Sequence, residues 1–193
     1  MPVTPSTMLD LGTTVSSFRL PDFNSTSVSD QDFTNAAALL VAFICPHCPY
    51  VGHIRQEFSR FARDYQARGL AIVAVNSNDT KAFPDDNPAG MKKEAGEAGY
   101  TFPYVFDETQ EVARSFRAAC TPDFFLFDRD RRLVYRGQFD ESRPGGDGAV
   151  TGKDLRAAAD AVLAGRPQPS AQTPSMGCNI KWKPGNEPEY FKG

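Results

Sequence analysis

The sequence predicts an α/β fold with a central mixed sheet flanked by helices. Two observations lead to this prediction. Continuous apolar runs, typical of strands covered on both faces, alternate along the chain with segments of helical periodicity. Two later apolar runs are joined by a charged turn, which predicts an antiparallel hairpin at the edge of the sheet. The expected order, β-α-β-α-β-α-β-β-α, gives a mainly parallel sheet with helices on both faces.

The first buried strand and the first long helix follow each other directly. Residues 17–33 alternate weakly and predict a small hairpin or an extended entry segment. Residues 36–44 form a continuous apolar run, as a buried strand requires. Residues 45–68 carry an apolar stripe at helical spacing, and Pro46 suits the first helical position. The stripe consists of Val51, Ile54, Phe58, Phe61, Ala62 and Tyr65.

The next three elements continue the alternation of strands and helices. Residues 70–75 form a second apolar run and predict a buried strand. After a loop, Asn87 and Pro88 open a weaker helix that runs to about Gly99. A short strand is then predicted over residues 102–106. These elements extend the parallel part of the sheet.

The last third of the fold contains two helices with a hairpin between them. Asp107 and Gln110 form a start that is similar to a capping box, which predicts a helix through Ala119. The apolar runs 124–127 and 133–139 predict the antiparallel hairpin.

The final helix is expected to begin after Thr151 and to end at Gly165. We therefore predict one domain over residues 1–166, with an N-terminal extension over residues 1–35. Residues 167–193 are rich in proline and lack periodicity, which indicates a C-terminal tail packed on the domain.

Composition excludes several functional classes. The 193 residues are 40% hydrophobic and 23% charged, which is ordinary for one globular domain with a substantial core. A net charge of −3 does not suit binding to nucleic acid or to an anionic membrane surface. The longest apolar run, of about nine residues, is far too short to cross a membrane. The N-terminal stretch lacks a basic start and a long apolar core, so we expect no signal peptide and a cytoplasmic location.

Cys45-Pro46-His47-Cys48 is the most informative motif of the chain, because it lies where the first strand gives way to the helix. Unpaired backbone N–H groups and the positive end of a helix dipole favour a thiolate over a thiol. A cysteine pKa of about 8.5 falls to roughly 3.5–7.5 in such settings. His47 adds positive charge or a hydrogen bond. The spacing and placement predict a redox-active dithiol.

Two other interpretations of this motif are an inert local disulfide and half of a zinc site. Four cysteines are too few for a disulfide scaffold, and in the cytoplasm a close cysteine pair is typical of a catalytic or metal-binding site. A structural zinc site needs four ligands, but the sequence has no second CxxC motif and His47 lies inside the first. We therefore expect neither a metal nor another cofactor.

Several motifs resemble those of a known family. A strand, a CxxC motif at a helix start and the pair Thr121-Pro122 before a hairpin resemble the layout of the thioredoxin fold. The N-terminal segment SSFRLPDFNSTSVSDQDF is similar to the peroxiredoxin branch of that fold, which includes alkyl hydroperoxide reductase and thiol-specific antioxidant proteins. Further stretches resemble a peroxiredoxin-like group that has a CxxC motif. These stretches are FICPHCPYVGHI, VAVNSND, FPYVFDETQEVARSF, CTPDFFLFDRDRRLVYRGQFDESRPG and GCNIKWKPGNEP.

The resemblance implies a thioredoxin-like fold and assigns roles to the site residues. It implies that Pro122 follows a cis peptide bond after Thr121, in a loop that faces the dithiol and presents backbone to a substrate. Cys45 is then the low-pKa nucleophile and Cys48 resolves the mixed disulfide. His47 and Pro46, between the two cysteines, resemble the dipeptide of strongly oxidising disulfide donors.

The sequence departs from both relatives at particular positions. Thioredoxins carry a buried acid where this chain has Leu39, and a tryptophan where it has Ile44. Peroxiredoxins carry the motif Pro-x-x-x-Thr-x-x-Cys. Aligning its cysteine with Cys48 puts Val41 at the proline and Cys45 at the threonine. Dithiol exchange is therefore favoured over peroxidase activity.

Three functions are consistent with these residues. The first is thiol–disulfide exchange with a protein or a small-thiol partner. The second is a thiol peroxidase, in which Cys48 attacks peroxide and Cys45, Cys120 or Cys178 resolves the sulfenic acid. The third is a non-catalytic or metal-binding module that keeps only the fold. The sequence does not select an interface between copies of the chain.

Cys120 and Cys178 are candidates for additional redox thiols. Cys120 lies just before the Thr-Pro pair, and it also suits a small buried hydrophobic position. Cys178 lies in the tail and could fold back as a third, resolving thiol or pair with Cys120. His53, five residues after Cys48, either faces that cysteine or lies in solvent on the helix, and we favour solvent.

Overall fold

The computed structural model of the protein describes residues 3–168 and 171–191. Strands and helices alternate in the predicted order, with further short strands near both ends. The strands are β1 (Val3–Pro5), β2 (Arg19–Pro21), β3 (Ser27–Ser29), β4 (Ala38–Phe43), β5 (Leu70–Asn76), β6 (Tyr104–Phe106), β7 (Cys120–Thr121), β8 (Asp123–Phe127), β9 (Leu133–Gly137) and β10 (Met176–Asn179). The α-helices are α1 (Pro49–Gln66), α2 (Pro88–Ala98), α3 (Glu111–Ser115) and α4 (Lys153–Leu163). Short 3-10 helices span Asp30–Phe33 and Pro84–Asp86.

Five strands form the central sheet, in the order β6-β5-β4-β8-β9. β4 and β5 are parallel from the pair Ala38 and Leu70 to the pair Phe43 and Val75, and β6 is parallel to β5. β8 lies antiparallel to β4, and β9 lies antiparallel to β8. Every residue of β4 is buried, as its continuous apolar run predicts. The mixed sheet and its antiparallel hairpin are confirmed.

Two apolar clusters lie on the two faces of the sheet. One contains the inward face of α1, with Ile54, Phe58 and Phe61, and part of α4. The other contains Phe116, next to α3, and Trp182 from the C-terminal segment. Alternate residues of β4 point into one cluster or the other, because successive side chains of a strand point to opposite faces. The sheet is thus covered on both sides, as predicted.

The first long helix begins four residues later than the sequence predicts. Cys48 is its N-cap, with extended backbone angles (φ −74°, ψ 120°), and Pro49 is its first residue. Proline suits that position because the first helical N–H has no partner inside the helix. The prediction that Pro46 takes the first helical position is therefore wrong. Cys48, rather than Cys45, lies at the end of the helix dipole.

The third helix is shorter than predicted. It covers Glu111–Ser115, because Gln110 has left-handed backbone angles (φ 63°) and Arg117 does as well (φ 52°). The carboxylate of Asp107 nevertheless accepts hydrogen bonds from the N–H groups of Val112 and Ala113, at 3.4 and 2.9 Å. Asp107 thus accepts from the first turn of the helix, but the N-cap is Gln110 and its side chain makes no capping hydrogen bond, so the predicted capping box is wrong.

The chain ends form a second sheet, in the order β1-β10-β7. The N-terminal segment also contains the antiparallel hairpin of β2 and β3, which confirms the hairpin predicted for residues 17–33. The C-terminal segment, predicted to lack periodic structure, contributes β10 and buries Trp182. Tyr190 packs edge-on against that ring, with centroids 6.4 Å apart. Strand β10 is too short to show a pattern in the sequence, and its partners are distant in the chain.

In the described ranges, 3–168 and 171–191, none of the helices combines the length and the apolar character that crossing a membrane requires.

Candidate active site at the start of the first long helix

The two cysteines of the CxxC motif lie at the end of β4, where the chain turns into α1. Ile44 extends the ladder by one hydrogen bond to Val75, at 3.0 Å, and the chain then leaves the sheet. Cys45 and Cys48 are both free thiols with about 1% of their surface exposed. The strand and the helix thus hold both sulfurs in a buried position at the sheet edge.

The loop between β7 and β8 faces the two thiols. The peptide bond from Thr121 to Pro122 is cis, as the resemblance implies. Cys45 Sγ lies 3.5 Å from Thr121 Oγ1, and Cys48 Sγ lies 3.2 Å from the Thr121 carbonyl oxygen, to which its thiol donates. Thr121, the residue directly before the cis-proline, therefore contacts both sulfurs of the motif.

The environment stabilises a thiolate at Cys48 and opposes one at Cys45. The neighbouring Cys178 and Cys45 lower the pKa of Cys48 to about 2, with further contributions from Thr121 and the Val51 backbone, whereas burial acts against this shift. Burial is also the main reason that the pKa of Cys45 rises well above its ordinary value, and the negative charge of Asp86 adds to the rise. The structure therefore favours a thiolate at Cys48, whereas the resemblance implies one at Cys45.

His47 is held by a buried carboxylate that the sequence analysis did not identify. Asp86 accepts a hydrogen bond from the backbone N–H of His47 at 3.1 Å, and its other oxygen lies 2.5 Å from His47 Nδ1. Asn78 donates to the same carboxylate at 2.8 Å, and the His47 ring stacks on Phe83 with centroids 5.1 Å apart. Because His47 Nδ1 also lies 3.9 Å from Cys45 Sγ, the His47–Asp86 pair lies directly beside Cys45.

Cys45, His47 and Asp86 also bring three metal-ligating atoms within 4.8 Å of one another. A structural zinc ion is bound by four such ligands in a tetrahedron. His47 Nδ1 and the Asp86 carboxylate are already joined by the hydrogen bond described above. The cluster thus offers three ligands, two of which have another partner.

The other two cysteines lie on either side of the same loop. Cys178, in the middle of β10, pairs with Thr121 of β7 and belongs to the apolar cluster that contains Cys45 and Cys48. Cys120 Sγ lies 3.7 Å from the Pro122 carbonyl oxygen, and burial raises the pKa of Cys120 well above its ordinary value. The structure thus places Cys178 at the dithiol, while Cys120 is a buried neighbour of the loop.

His53 is half-buried and does not face Cys48, so the favoured interpretation, a histidine in solvent, is only partly correct. Its Nε2 atom lies 3.0 Å from Ser142 Oγ, which in turn donates to Asp140 at 2.5 Å. These residues and Pro122 line a small cavity of about 20 Å³ behind the cis-proline loop. The contact was not visible in the sequence because Ser142 lies 89 residues away.

Two further buried acids lie near the site. Glu94 is linked to the motif through Arg55, which pairs with Glu94 at 3.1 Å and donates to the Pro46 carbonyl oxygen at 3.4 Å. Asp123 directly follows the cis-proline, and neither of its carboxylate oxygens has a hydrogen bond of normal geometry within the described residues. Burial raises the pKa of each to about 7, and the nearby hydroxyls of Ser6 and Ser175 offset the effect at Asp123 only in part.

These raised pKa values predict that stability falls as the pH rises. Between the ordinary pKa of Asp123, 3.8, and its folded pKa of about 7, the folded state binds more protons than the unfolded state. Asp123 therefore stabilises the fold at low pH, and its contribution is lost at about 1.4 kcal/mol per pH unit across that window. We expect Asp123→Asn to remove this part of the pH dependence of the free energy of unfolding. Urea unfolding at several pH values, followed by Trp182 fluorescence, measures it. Glu94→Gln is expected to remove a similar part of the pH dependence. An unchanged pH dependence in Asp123→Asn would contradict the buried state of that carboxyl.

Solved structures with similar folds include close and distant relatives. A hypothetical protein from Sinorhizobium meliloti is 52% identical, with a TM-score of 0.93 over 94% of this chain and 100% of that chain. An uncharacterized conserved protein from Geobacillus kaustophilus is 51% identical, with a TM-score of 0.93 over 95% of this chain and 98% of that chain. A Chlorobium tepidum protein proposed to be the thiol:disulfide interchange protein DsbE is 25% identical, with a TM-score of 0.61 over 80% and 99% of the two chains. No curated protein matches the chain.

The family assignment rests on the sequence match together with the fold. The family model described as Redoxin matches residues 10–155, which is more than half of the chain. The matched region contains the CxxC motif, the sheet edge at which it lies and the cis-proline loop. The chain therefore belongs to the Redoxin family and is an oxidoreductase with a thioredoxin-like fold.

Proposed function

We propose that the chain catalyses thiol–disulfide exchange through Cys45 and Cys48. The observation that carries this proposal is the position of Thr121, which contacts Cys45 Sγ through its hydroxyl and Cys48 Sγ through its carbonyl, directly before cis Pro122. The dithiol and the loop thus form one site.

The stabilised thiolate supports Cys48 as the attacking group. Cys48 attacks one sulfur of a substrate disulfide, the substrate S–S bond breaks, and one substrate thiolate leaves. Cys45 then gives its proton to the His47–Asp86 pair and attacks Cys48 Sγ, which forms the Cys45–Cys48 disulfide and releases the second thiolate. The substrate is reduced to two thiols while the protein dithiol is oxidised. The reverse steps oxidise a substrate dithiol.

The relative from Chlorobium tepidum supports this choice through the activity in its name, which is thiol:disulfide interchange. A protein or small-thiol partner and a cytoplasmic location stay predictions. The catalytic roles of Pro46, His47 and Pro122 are part of this proposal, with His47 exchanging the proton and the other two shaping the site.

A thiol peroxidase is the second candidate, and the same thiolate favours it. Cys48 would attack the terminal oxygen of a peroxide, break the O–O bond and become a sulfenic acid as an alcohol or water leaves. Cys45, the other thiol of the motif, would then condense with the sulfenic acid and release water. The two candidates share their nucleophile and differ in its preferred substrate.

One comparison on the reduced protein separates the candidates. We expect it to accelerate dithiothreitol-dependent reduction of insulin disulfides, and to consume hydrogen peroxide in stopped-flow no faster than a free thiol does. Fast peroxide consumption without insulin reduction would favour the peroxidase. Stoichiometric zinc in the purified protein, with neither activity, would indicate a metal-binding module built on Cys45, His47 and Asp86.

A further inference from the structure

The C-terminal strand brings a third thiol to the dithiol. In the antiparallel ladder between β10 and β7, Cys178 is paired with Thr121, and Asn179 is paired with Cys120. Paired residues of such a ladder point to the same face, and neighbouring residues point to opposite faces. The Cys178 side chain therefore shares a face with that of Thr121, whose hydroxyl contacts Cys45. Cys120 points to the other face, which excludes a disulfide between Cys120 and Cys178.

The approach of β10 to the loop is unusually close. A Cβ atom on Gly177 would lie 2.0 Å from the Thr121 carbonyl oxygen, so only glycine fits there. That oxygen also lies 3.2 Å from Cys48 Sγ. Gly177 thus allows the strand that carries Cys178 to reach the backbone group that Cys48 contacts.

Buried hydrogen bonds fix the strand at both ends. Before it, Ser6 N–H donates to the Ser175 carbonyl at 2.9 Å, and the Ser175 hydroxyl donates to the Gly137 carbonyl at 2.6 Å. After it, Lys181 N–H donates to Asn78 Oδ1 at 2.8 Å. Asn78 is the residue that also binds the Asp86 carboxylate. Cys178 is therefore held in register with the dithiol, with about 2% of its surface exposed.

We propose that Cys178 is a third redox thiol of the site, which forms a disulfide with Cys48 in exchange with the Cys45–Cys48 pair. This inference rests on the proposed exchange function and adds to it. Two thiols, one from the motif and one from β10, then compete for the same Cys48 sulfur.

The exchange balances without any further reactant. Cys178 loses its proton and attacks Cys48 Sγ in the Cys45–Cys48 disulfide; that bond breaks, the Cys48–Cys178 bond forms, and Cys45 leaves as a thiolate that takes up the proton. With a mixed disulfide on Cys48, the same attack releases the substrate thiol instead. Cys178 starts as a thiol in this step, since the neighbouring Cys48 and burial raise the pKa of Cys178 far above its ordinary value.

Disulfide mapping after reaction with glutathione disulfide tests this inference. Reduced Cys45→Ser protein is expected to form a mixed disulfide on Cys48 and then an intramolecular Cys48–Cys178 disulfide, with release of glutathione. In the double variant Cys45→Ser/Cys178→Ser, the glutathione adduct on Cys48 is expected to persist about tenfold longer or more, because an intramolecular thiol is lost. The control Cys45→Ser/Cys120→Ser is expected to behave like Cys45→Ser alone.

The outcomes separate this inference from the proposed function. The third-thiol role would be overturned if the adduct persisted equally in Cys45→Ser and in Cys45→Ser/Cys178→Ser, and Cys178 of Cys45→Ser were alkylated as a free thiol after denaturation. Exchange by Cys45 and Cys48 would remain intact in that case. Wild-type protein that forms no Cys45–Cys48 disulfide would contradict the proposed function and this inference together. Far-ultraviolet circular dichroism of each variant shows whether it is folded, and urea unfolding shows whether its free energy of unfolding is kept.

Discussion

Replacing Cys48 by serine is expected to lower thiol–disulfide exchange to the rate of the uncatalysed reaction. Cys48 is the N-cap of α1, and Cys178 and Cys45 lower its pKa, so we expect it to hold the negative charge of the reduced site. A serine hydroxyl keeps the shape of the side chain but is not ionised and forms no disulfide. Insulin reduction measures the lost activity, and the ultraviolet absorbance of the thiolate at neutral pH is expected to disappear with it.

Cys45→Ser is the matched control for this prediction. It is also expected to slow turnover, because the resolving thiol of the motif is lost, but the thiolate absorbance is expected to remain. The opposite result, in which Cys45→Ser removes the absorbance and Cys48→Ser keeps it, would show that Cys45 is the nucleophile. Exchange at the wild-type rate in Cys48→Ser would show that the reaction does not use the CxxC motif.

Local signals predicted the dithiol and its place in the fold. The apolar run before Cys45 and the periodic stripe after Cys48 are short-range patterns, and the structure contains the strand and helix they indicate. The cis bond before Pro122 was predicted from a resemblance rather than from the residues themselves, and it is confirmed.

The electrostatic character of the site could not be predicted in the same way. The pKa of Cys48 depends on Cys178, which is 130 positions further along the chain. The position of His47 depends on Asp86, which ends a short 3-10 helix in a stretch of sequence without periodicity. These contacts are made only when β10 pairs with β7 and the loop folds over the sheet edge. The sequence therefore predicted the two thiols of the site but not the groups that surround them.

Asp86→Ala is expected to lower the free energy of unfolding by about 3–5 kcal/mol, because it removes one partner of a buried, hydrogen-bonded pair. The carboxylate is fully buried and accepts from the His47 backbone and from Asn78, and its second oxygen faces His47 Nδ1. Each donor left buried without a partner costs about 1–3 kcal/mol. Urea unfolding followed by Trp182 fluorescence measures this loss.

Asp86→Asn provides the control, since its amide oxygen still accepts a hydrogen bond from the His47 backbone, and we expect a smaller loss of stability. Asp123 gives the opposite case: its carboxylate is equally buried but has no hydrogen bond of normal geometry among the described residues. Removing its charge with Asp123→Asn is therefore expected to leave stability at neutral pH unchanged or to raise it. Equal destabilisation by Asp86→Asn and Asp86→Ala would mean that the charge, rather than the hydrogen bonds, holds His47 beside Cys45.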